Sequence, residues 1–289
     1  MEENRFLADH WMKFCPIIIL IVLTVVFRSK CSNSLFRMNG YLMVSYLIHQ
    51  IEEHWVDLYG EHYSFYRHTN QLINFLLNEN SSVNLLTPNM ILVVNTVMVW
   101  MVGFLALYQS NVRSPSHLFS TLAMISLCFI NAMVHVVPFV KFGWKYNPGL
   151  VTAVILLLPS ALYGYSVVRH SKEDGLRLKV GASLIWAVLG HGMIMVGAIG
   201  SNWFHIIPTW TVYVTMFLFS IAPCVMFPTR QRPKPWRKQM HSRWNSLWYV
   251  NCRIQSQIVR CPFPLFHAPL LWAVFQWCAL FKNKTTSKN

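Results

Sequence analysis

Long, nearly charge-free apolar runs dominate this chain, and short polar or basic segments separate them. A helix needs about 20 predominantly apolar residues to cross the hydrocarbon core of a bilayer. The runs therefore predict about seven transmembrane helices, at 13–27, 38–57, 89–109, 117–140, 149–168, 180–199 and 205–227. The predicted fold class is all-α, a polytopic membrane helix bundle.

The same pattern divides the chain into three parts. Residues 1–34 form a predicted N-terminal anchor helix, residues 35–227 a membrane domain, and residues 228–289 a basic, Trp-rich tail. The first run is short enough for a signal peptide, but no small-residue cleavage site precedes Arg28, which favours a retained helix. A further apolar stretch, 262–281, contains three prolines and two tryptophans, which favours an interfacial segment; an eighth span is the alternative.

Composition and charge support a membrane protein with a defined orientation. Of the 289 residues, 54% are hydrophobic and only 12% charged, whereas soluble domains have about 25% charged residues. The net charge is +14, and the basic residues fall in alternate connections and in the tail, which the positive-inside rule places in the cytoplasm. The tail predicts membrane lipids as partners. It matches no nucleic-acid fold signature, so no nucleic acid is expected.

The seven cysteines form no CxxC pair, which gives no indication of a zinc-thiolate or redox site. No GxSxG serine nucleophile motif is present either. Oligomeric state and organelle are not indicated by any feature of the sequence.

Polar residues at membrane depth are the strongest functional signal, because they are costly there and usually functional. Six of them fall on the second, fourth and sixth predicted spans: His49, Glu52, Glu53, Asn131, His135 and His191. These spans run in the same direction. At ~1.5 Å per residue, the six residues lie about 16–27 Å from the cytoplasmic ends of their helices, all in the outer half of the bilayer. The sequence thus predicts that three helices bring them to a compatible depth.

This set suits two kinds of chemistry. Imidazole and carboxylate groups bind zinc or iron with positions left open for water or substrate, or they transfer protons. The candidate metal ligands are His49, Glu53, His135 and His191. Helical spacing lets either Glu52 or Glu53 share a face with His49. A purely structural polar cluster is the alternative. We expect His54, His62 and His68 at or beyond the outer end of the second span, as surface residues, with the alternative that His54 joins the site from above.

The motifs resemble a known family. Residues 49–53 read His-Gln-Ile-Glu-Glu, Asn131 and His135 follow with the spacing Asn-x3-His, and residues 146–152 read Tyr-Asn-Pro-Gly-Leu-Val-Thr. In this order they resemble the HXXEE-domain family of multi-pass membrane proteins of uncharacterised function, over roughly residues 38–200. The resemblance implies an active site of His and Glu residues. We take five residues as candidate catalytic residues: His49, Glu52, Glu53, Asn131 and His135.

These observations favour an intramembrane enzyme, metal-dependent or acid–base, acting on a lipid or another apolar small molecule. Two other hypotheses stay open. One is a non-catalytic binder of such a molecule or a proton-coupled transporter, because buried His and Glu residues also form proton relays. The other is a structural membrane protein whose polar residues only fix helix packing.

Overall fold

The computed structural model describes residues 5–29, 33–76, 84–170 and 175–227. Within these ranges the chain is helical, with one isolated bridge between Val56 and His62 and no strand. The predicted all-α class is therefore confirmed. The predicted basic tail, 228–289, and its apolar segment 262–281 lie outside the described residues.

Eleven α-helices follow one another in these ranges: α1 Arg5–His10, α2 Cys15–Arg28, α3 Ser34–Gln50, α4 Ser64–Leu76, α5 Pro88–Val93, α6 Met101–Val112, α7 His117–Lys141, α8 Leu150–Thr152, α9 Leu158–Arg169, α10 Leu176–Ala198 and α11 Thr209–Ile221. Four π-helical segments continue or join them: Ile51–Trp55, Val94–Trp100, Ala153–Leu157 and Ile199–Trp203. Short 3-10 segments lie at Trp11–Phe14 and Ala222–Cys224.

Five continuous helices are long and apolar enough to cross a membrane: Phe6–Arg28, Pro88–Val112, His117–Lys141, Leu150–Arg169 and Leu176–Trp203. The predicted count of seven is not confirmed by this criterion. Thr209–Cys224 is apolar but shorter. Helix α3 and its π-helical continuation have the length to span, but they carry Arg37, Glu52 and Glu53 and are less apolar than the five.

Helix α7 forms the centre of the bundle. It packs against α3, α6, α9 and α10, and most of its first half is buried. Small residues allow close approach here: a Cβ on Gly164 of α9 would lie 2.9 Å from the Ile125 side chain of α7. Close contacts of this kind are typical of helices that associate within lipid.

Sequential long helices run antiparallel, and the connections between them are short except for 56–87, which contains α4. As a result, the C-terminal ends of α3, α7 and α10 lie at the same end of the bundle as the N-terminal ends of α5 and α8. The π-helical segments Ile51–Trp55 and Ala153–Leu157 also lie toward this end. Such segments are rare and occur frequently at functional sites. Of the four residues that follow His49 in the motif, Gln50 ends α3 and Ile51, Glu52 and Glu53 begin the first of these segments.

Candidate metal centre

Three buried side chains from α3, its π-helical continuation and α7 converge at this end. Among the residues that the structure describes, His49, Glu53 and His135 form the group whose ligand atoms all lie within 4.8 Å of one another. The Glu53 carboxylate lies between the two imidazoles: Oε2 is 3.3 Å from His49 Nε2, and Oε1 is 3.5 Å from His135 Nε2. All three residues are at most 5% exposed.

The outer nitrogen of His49 is held by a hydroxyl group. Its Nδ1 lies 2.9 Å from Thr152 Oγ1, and that hydroxyl donates a 2.6 Å hydrogen bond to Glu52 Oε2. Because the hydroxyl proton is directed to the carboxylate, Thr152 accepts from His49, and Nδ1 carries the proton of the neutral ring. Nε2 therefore bears the lone pair, and it accepts from Asn131 Nδ2 at 2.9 Å.

The outer nitrogen of His135 is held by an amide group. His135 Nδ1 donates to Asn147 Oδ1 at 2.7 Å, while Asn147 Nδ2 donates to the His135 carbonyl oxygen at 3.0 Å. The second bond fixes which end of the Asn147 amide is the acceptor, so Nδ1 of His135 carries the proton. Its Nε2 is buried and has no hydrogen-bond partner.

The two glutamates of the signature have different environments. Glu52 accepts four hydrogen bonds, from Tyr146 OH, Val151 N, Thr152 N and Thr152 Oγ1, at 2.6–3.2 Å. Burial, followed by the nearby Glu52 carboxylate, raises the pKa of the Tyr146 hydroxyl, so this group remains a proton donor. Glu52 is thus saturated by donors at the start of the helix that follows Gly149. Glu53 faces the two imidazoles.

The backbone of Gly149 packs against both imidazole rings of the site. Its φ is +91°, and a Cβ at this position would lie 2.8 Å from His49 Cε1 and 2.9 Å from His135 Cε1. Both the backbone angle and the available space therefore require glycine here.

A third imidazole borders the carboxylate. His54 is 5% exposed, and its Nε2 lies 3.1 Å from Glu53 Oε2 and 3.1 Å from Asn95 Nδ2. The expectation that His54 lies at the surface is therefore wrong. Asn95 Oδ1 accepts from Gln50 Nε2, and Gln50 Oε1 accepts from the Trp100 indole. The neighbouring α4 covers this region: the Phe65 ring lies 4.9 Å from the His54 ring and 6.3 Å from the His135 ring.

The structure brings five of the six predicted polar residues together and leaves one apart. His49, Glu52, Glu53, Asn131 and His135 form one connected network through the contacts above. His191, our fourth candidate ligand, donates its Nδ1 proton to the Ala187 carbonyl oxygen of its own helix. It does not belong to the converging group. Gly190, beside it, allows the close approach of Met98, whose Cε would lie 2.5 Å from a Cβ at this position.

Sequence reasoning missed several members of the network. Tyr146 and Thr152 both contact Glu52, and Thr152 also contacts His49. The roles of Asn147 and Asn95 were not recognised. Asn147 offered a weak signal, since it lies within the block that resembles the family. Asn95 offered another, as an amide within an otherwise apolar run.

Comparison with known proteins matches part of the chain to one family and indicates no activity. The model of the family described as "Protein of unknown function with HXXEE motif" matches residues 41–164. The matched range includes every residue of the network, and it excludes His191. The resemblance noted from the motifs is thereby confirmed. No curated protein and no solved structure matches the chain.

Proposed function

We propose that the HXXEE-like domain is an intramembrane enzyme that binds one divalent metal ion, zinc or iron, through His49, Glu53 and His135, and that it acts on a membrane lipid. The family match and the buried His/Glu group are compatible with this proposal, which goes beyond both of them.

The observation that carries the proposal is the convergence of electron-rich atoms. The hydrogen bonds at Nδ1 leave the Nε2 atoms of both histidines as acceptors beside the Glu53 carboxylate; His49 Nε2 accepts from Asn131, and His135 Nε2 has no donor. Buried lone pairs this close to a carboxylate repel it unless a cation, either a metal ion or a proton, lies between them. Metal–ligand bonds of about 2.0–2.1 Å place neighbouring ligand atoms roughly 3.3 Å apart in tetrahedral geometry. The separations of 3.3 Å from His49 Nε2 to Glu53 Oε2 and 3.5 Å from His135 Nε2 to Glu53 Oε1 are close to this spacing, but they end on different carboxylate oxygens. The ligand atoms of all three residues lie within 4.8 Å of one another, so a bound metal would draw them closer together.

The composition of the ligand set favours a catalytic site over a structural one. Structural zinc sites are closed by four protein ligands, whereas catalytic sites have three protein ligands and one open position. Two histidines and one carboxylate with open positions also suit non-haem iron. A metal bound here supplies Lewis-acid polarisation or an activated water. The protein residues hold the metal and, through their burial, keep bulk water away from it.

The position of the site supports a lipid substrate. Glu53 lies three residues before Val56, where the helix ends, and His135 lies six residues before Lys141, the last residue of α7. At ~1.5 Å per residue these positions are about 5 and 9 Å inside the ends of the helices. This depth corresponds to the boundary between headgroups and acyl chains, where the polar bonds of membrane lipids lie.

The metal content of the purified full-length protein tests the proposal. We expect about one zinc or iron per chain in the wild type, loss of this metal in Glu53→Gln, and retention at reduced affinity in Glu52→Gln. The glutamate pair provides a matched control because the two changes are chemically identical and adjacent. Absence of metal from the wild type after supplementation with zinc and iron, or equal effects of the two substitutions, would contradict the proposal.

One contact favours a second candidate, an acid–base site without a metal. Asn131 Nδ2 occupies the lone pair of His49 Nε2, so a metal must displace this hydrogen bond. Glu53 and the two imidazoles could then transfer protons directly. The substitution Asn131→Leu distinguishes the candidates. A metal site should bind metal at least as tightly without the competing amide, whereas an acid–base site has no metal affinity to gain.

A further inference from the structure

We infer that the 146–152 segment fixes the tautomers of both site histidines through hydrogen bonds. Thr152 accepts from Nδ1 of His49, and Asn147 accepts from Nδ1 of His135. The consequence for metal affinity rests on the proposed function. The assignment of the tautomers does not.

The segment contacts both imidazoles from the same side. It consists of the last part of the connection after α7 and the whole of α8, Leu150–Thr152, and it lies at the end of the bundle where the site lies. Asn147 and Gly149 are buried, and the backbone of Gly149 lies against the Cε1 atoms of both rings. A single short stretch of chain is therefore in contact with His49 and His135, although these residues belong to different helices.

The contact with His49 is part of a chain of hydrogen bonds from His49 through Thr152 to Glu52. Glu52 accepts the Thr152 hydroxyl proton at 2.6 Å, so the hydroxyl oxygen is free to accept from His49 Nδ1. The Val151 and Thr152 amides and the Tyr146 hydroxyl hold Glu52 in place. All three of these donors belong to the segment, so it supplies both the hydroxyl and the groups that orient its carboxylate.

The contact with His135 is independent of this chain. Asn147 binds the side chain and the backbone carbonyl of the same histidine, which prevents the amide from exchanging its donor and acceptor ends. Two different chemical groups thus favour the same tautomer in the two histidines. In each ring the proton is on Nδ1, and Nε2 faces Glu53. Outer partners of this kind orient metal-binding histidines, and their loss typically lowers metal affinity 10–100-fold.

This assignment explains three positions of the Tyr-x-Pro-Gly-x-x-Thr block that no ligand role requires. Tyr146 orients Glu52, Gly149 leaves space for two rings, and Thr152 accepts from His49. Pro148 precedes the left-handed Gly149 and restricts the backbone there. None of these residues contributes a ligand atom to the converging group.

The test compares two paired substitutions in the full-length protein in lipid nanodiscs, at a pH where the imidazoles are neutral. Thr152→Val removes the hydroxyl with little change in shape, and Thr152→Ser restores it. Asn147→Leu removes the acceptor, and Asn147→Asp restores it. Ser160→Ala is the control, because Ser160 makes a 3.0 Å hydroxyl contact with Ser45 in the same bundle but away from the site. Nitrogen-15 NMR reports the tautomer of each histidine, and Co²⁺ titration reports the metal affinity.

We expect the Nδ1–H tautomer for both histidines in the metal-free wild type. Thr152→Val should shift the tautomer of His49 alone and Asn147→Leu that of His135 alone, each with a 10–100-fold loss of Co²⁺ affinity. Thr152→Ser and Ser160→Ala should resemble the wild type, and Asn147→Asp should keep the Nδ1–H tautomer of His135, because its carboxylate still accepts from Nδ1. Nε2–H tautomers in the wild type, or folded Val and Leu variants with unchanged tautomers, would overturn the inference even if Co²⁺ binds. If the tautomers respond as expected but the wild type binds no Co²⁺, Zn²⁺ or Fe²⁺, the proposed metal function fails and the positioning role stands.

Discussion

At the scale of single residues, the two adjacent glutamates of the motif, Glu52 and Glu53, make different contacts. Glu52 accepts four hydrogen bonds, whereas Glu53 lies between imidazole nitrogens. The sequence could not distinguish them, because residues three and four apart both share a helical face. The distinction arises from the partner segment around Thr152, which is 100 residues away along the chain.

Substitution of Gly149 by alanine should be more harmful than its backbone angle alone explains. Adopting a left-handed backbone costs an L-residue about 1–2 kcal/mol, and overpacking against the His49 and His135 rings adds roughly 1–3 kcal/mol. Gly143 provides the matched control, because its φ is +80° and nothing lies within 4 Å of a Cβ there.

Equilibrium unfolding of the two variants in the same detergent measures the difference between their free energies of unfolding. We expect Gly149→Ala to lower the free energy of unfolding by roughly 1–3 kcal/mol more than Gly143→Ala does. Equal losses would show that the rings can move away, which would contradict the tight packing of Gly149 on the site.

At the scale of elements, a π-helical segment and an amphipathic helix shape the site. The Val56 amide bonds to the Ile51 carbonyl oxygen, five residues back, where the segment Ile51–Trp55 closes. This wider turn gives Glu52, Glu53 and His54 different partners within one turn. Helix α4 then packs against the same segment, and its Phe65 side chain lies beside two of the imidazoles.

Removal of the Phe65 ring should make the site more accessible. In Phe65→Ala, water and chelators gain a route past α4, so bound metal should be lost faster to an excess of chelator than in the wild type. Phe75→Ala is the control on the same helix, since Phe75 is 73% exposed. Stopped-flow measurement of metal release compares them; equal rates in the two variants would show that α4 does not cover the site.

At the scale of the whole molecule, the apolar pattern predicted the helices well and the chemistry only in part. Each of the seven predicted spans overlaps a helix, but only five continuous helices of the described residues are long and apolar enough to cross a membrane, so the count of seven is not confirmed. Residue depth along the helices predicted that His49, Asn131 and His135 would lie at a compatible depth. It could not show helix rotation, which decides that His191 bonds to its own helix and that His54 turns inward.

The orientation derived from basic residues remains a prediction at this scale. Two single-cysteine variants without native cysteines test it. Lys145→Cys places the thiol in the connection after α7, and Asn111→Cys places it near the end of α6; both positions are exposed. An impermeant maleimide added to sealed, right-side-out cells should label residue 145 but reach residue 111 only after permeabilisation. The reverse pattern would place the metal centre in the cytoplasmic half of the bilayer and contradict the positive-inside assignment.

The central claim is that His49, Glu53 and His135 together hold one metal ion. X-ray absorption spectroscopy at the metal edge of the full-length, metal-loaded protein tests it most directly, with His135→Ala for comparison. We predict only nitrogen and oxygen neighbours at about 2.0–2.2 Å, with scattering from two imidazole rings in the wild type and from one in His135→Ala. A site with sulfur neighbours, or an imidazole count that is the same in both proteins, would contradict the claim.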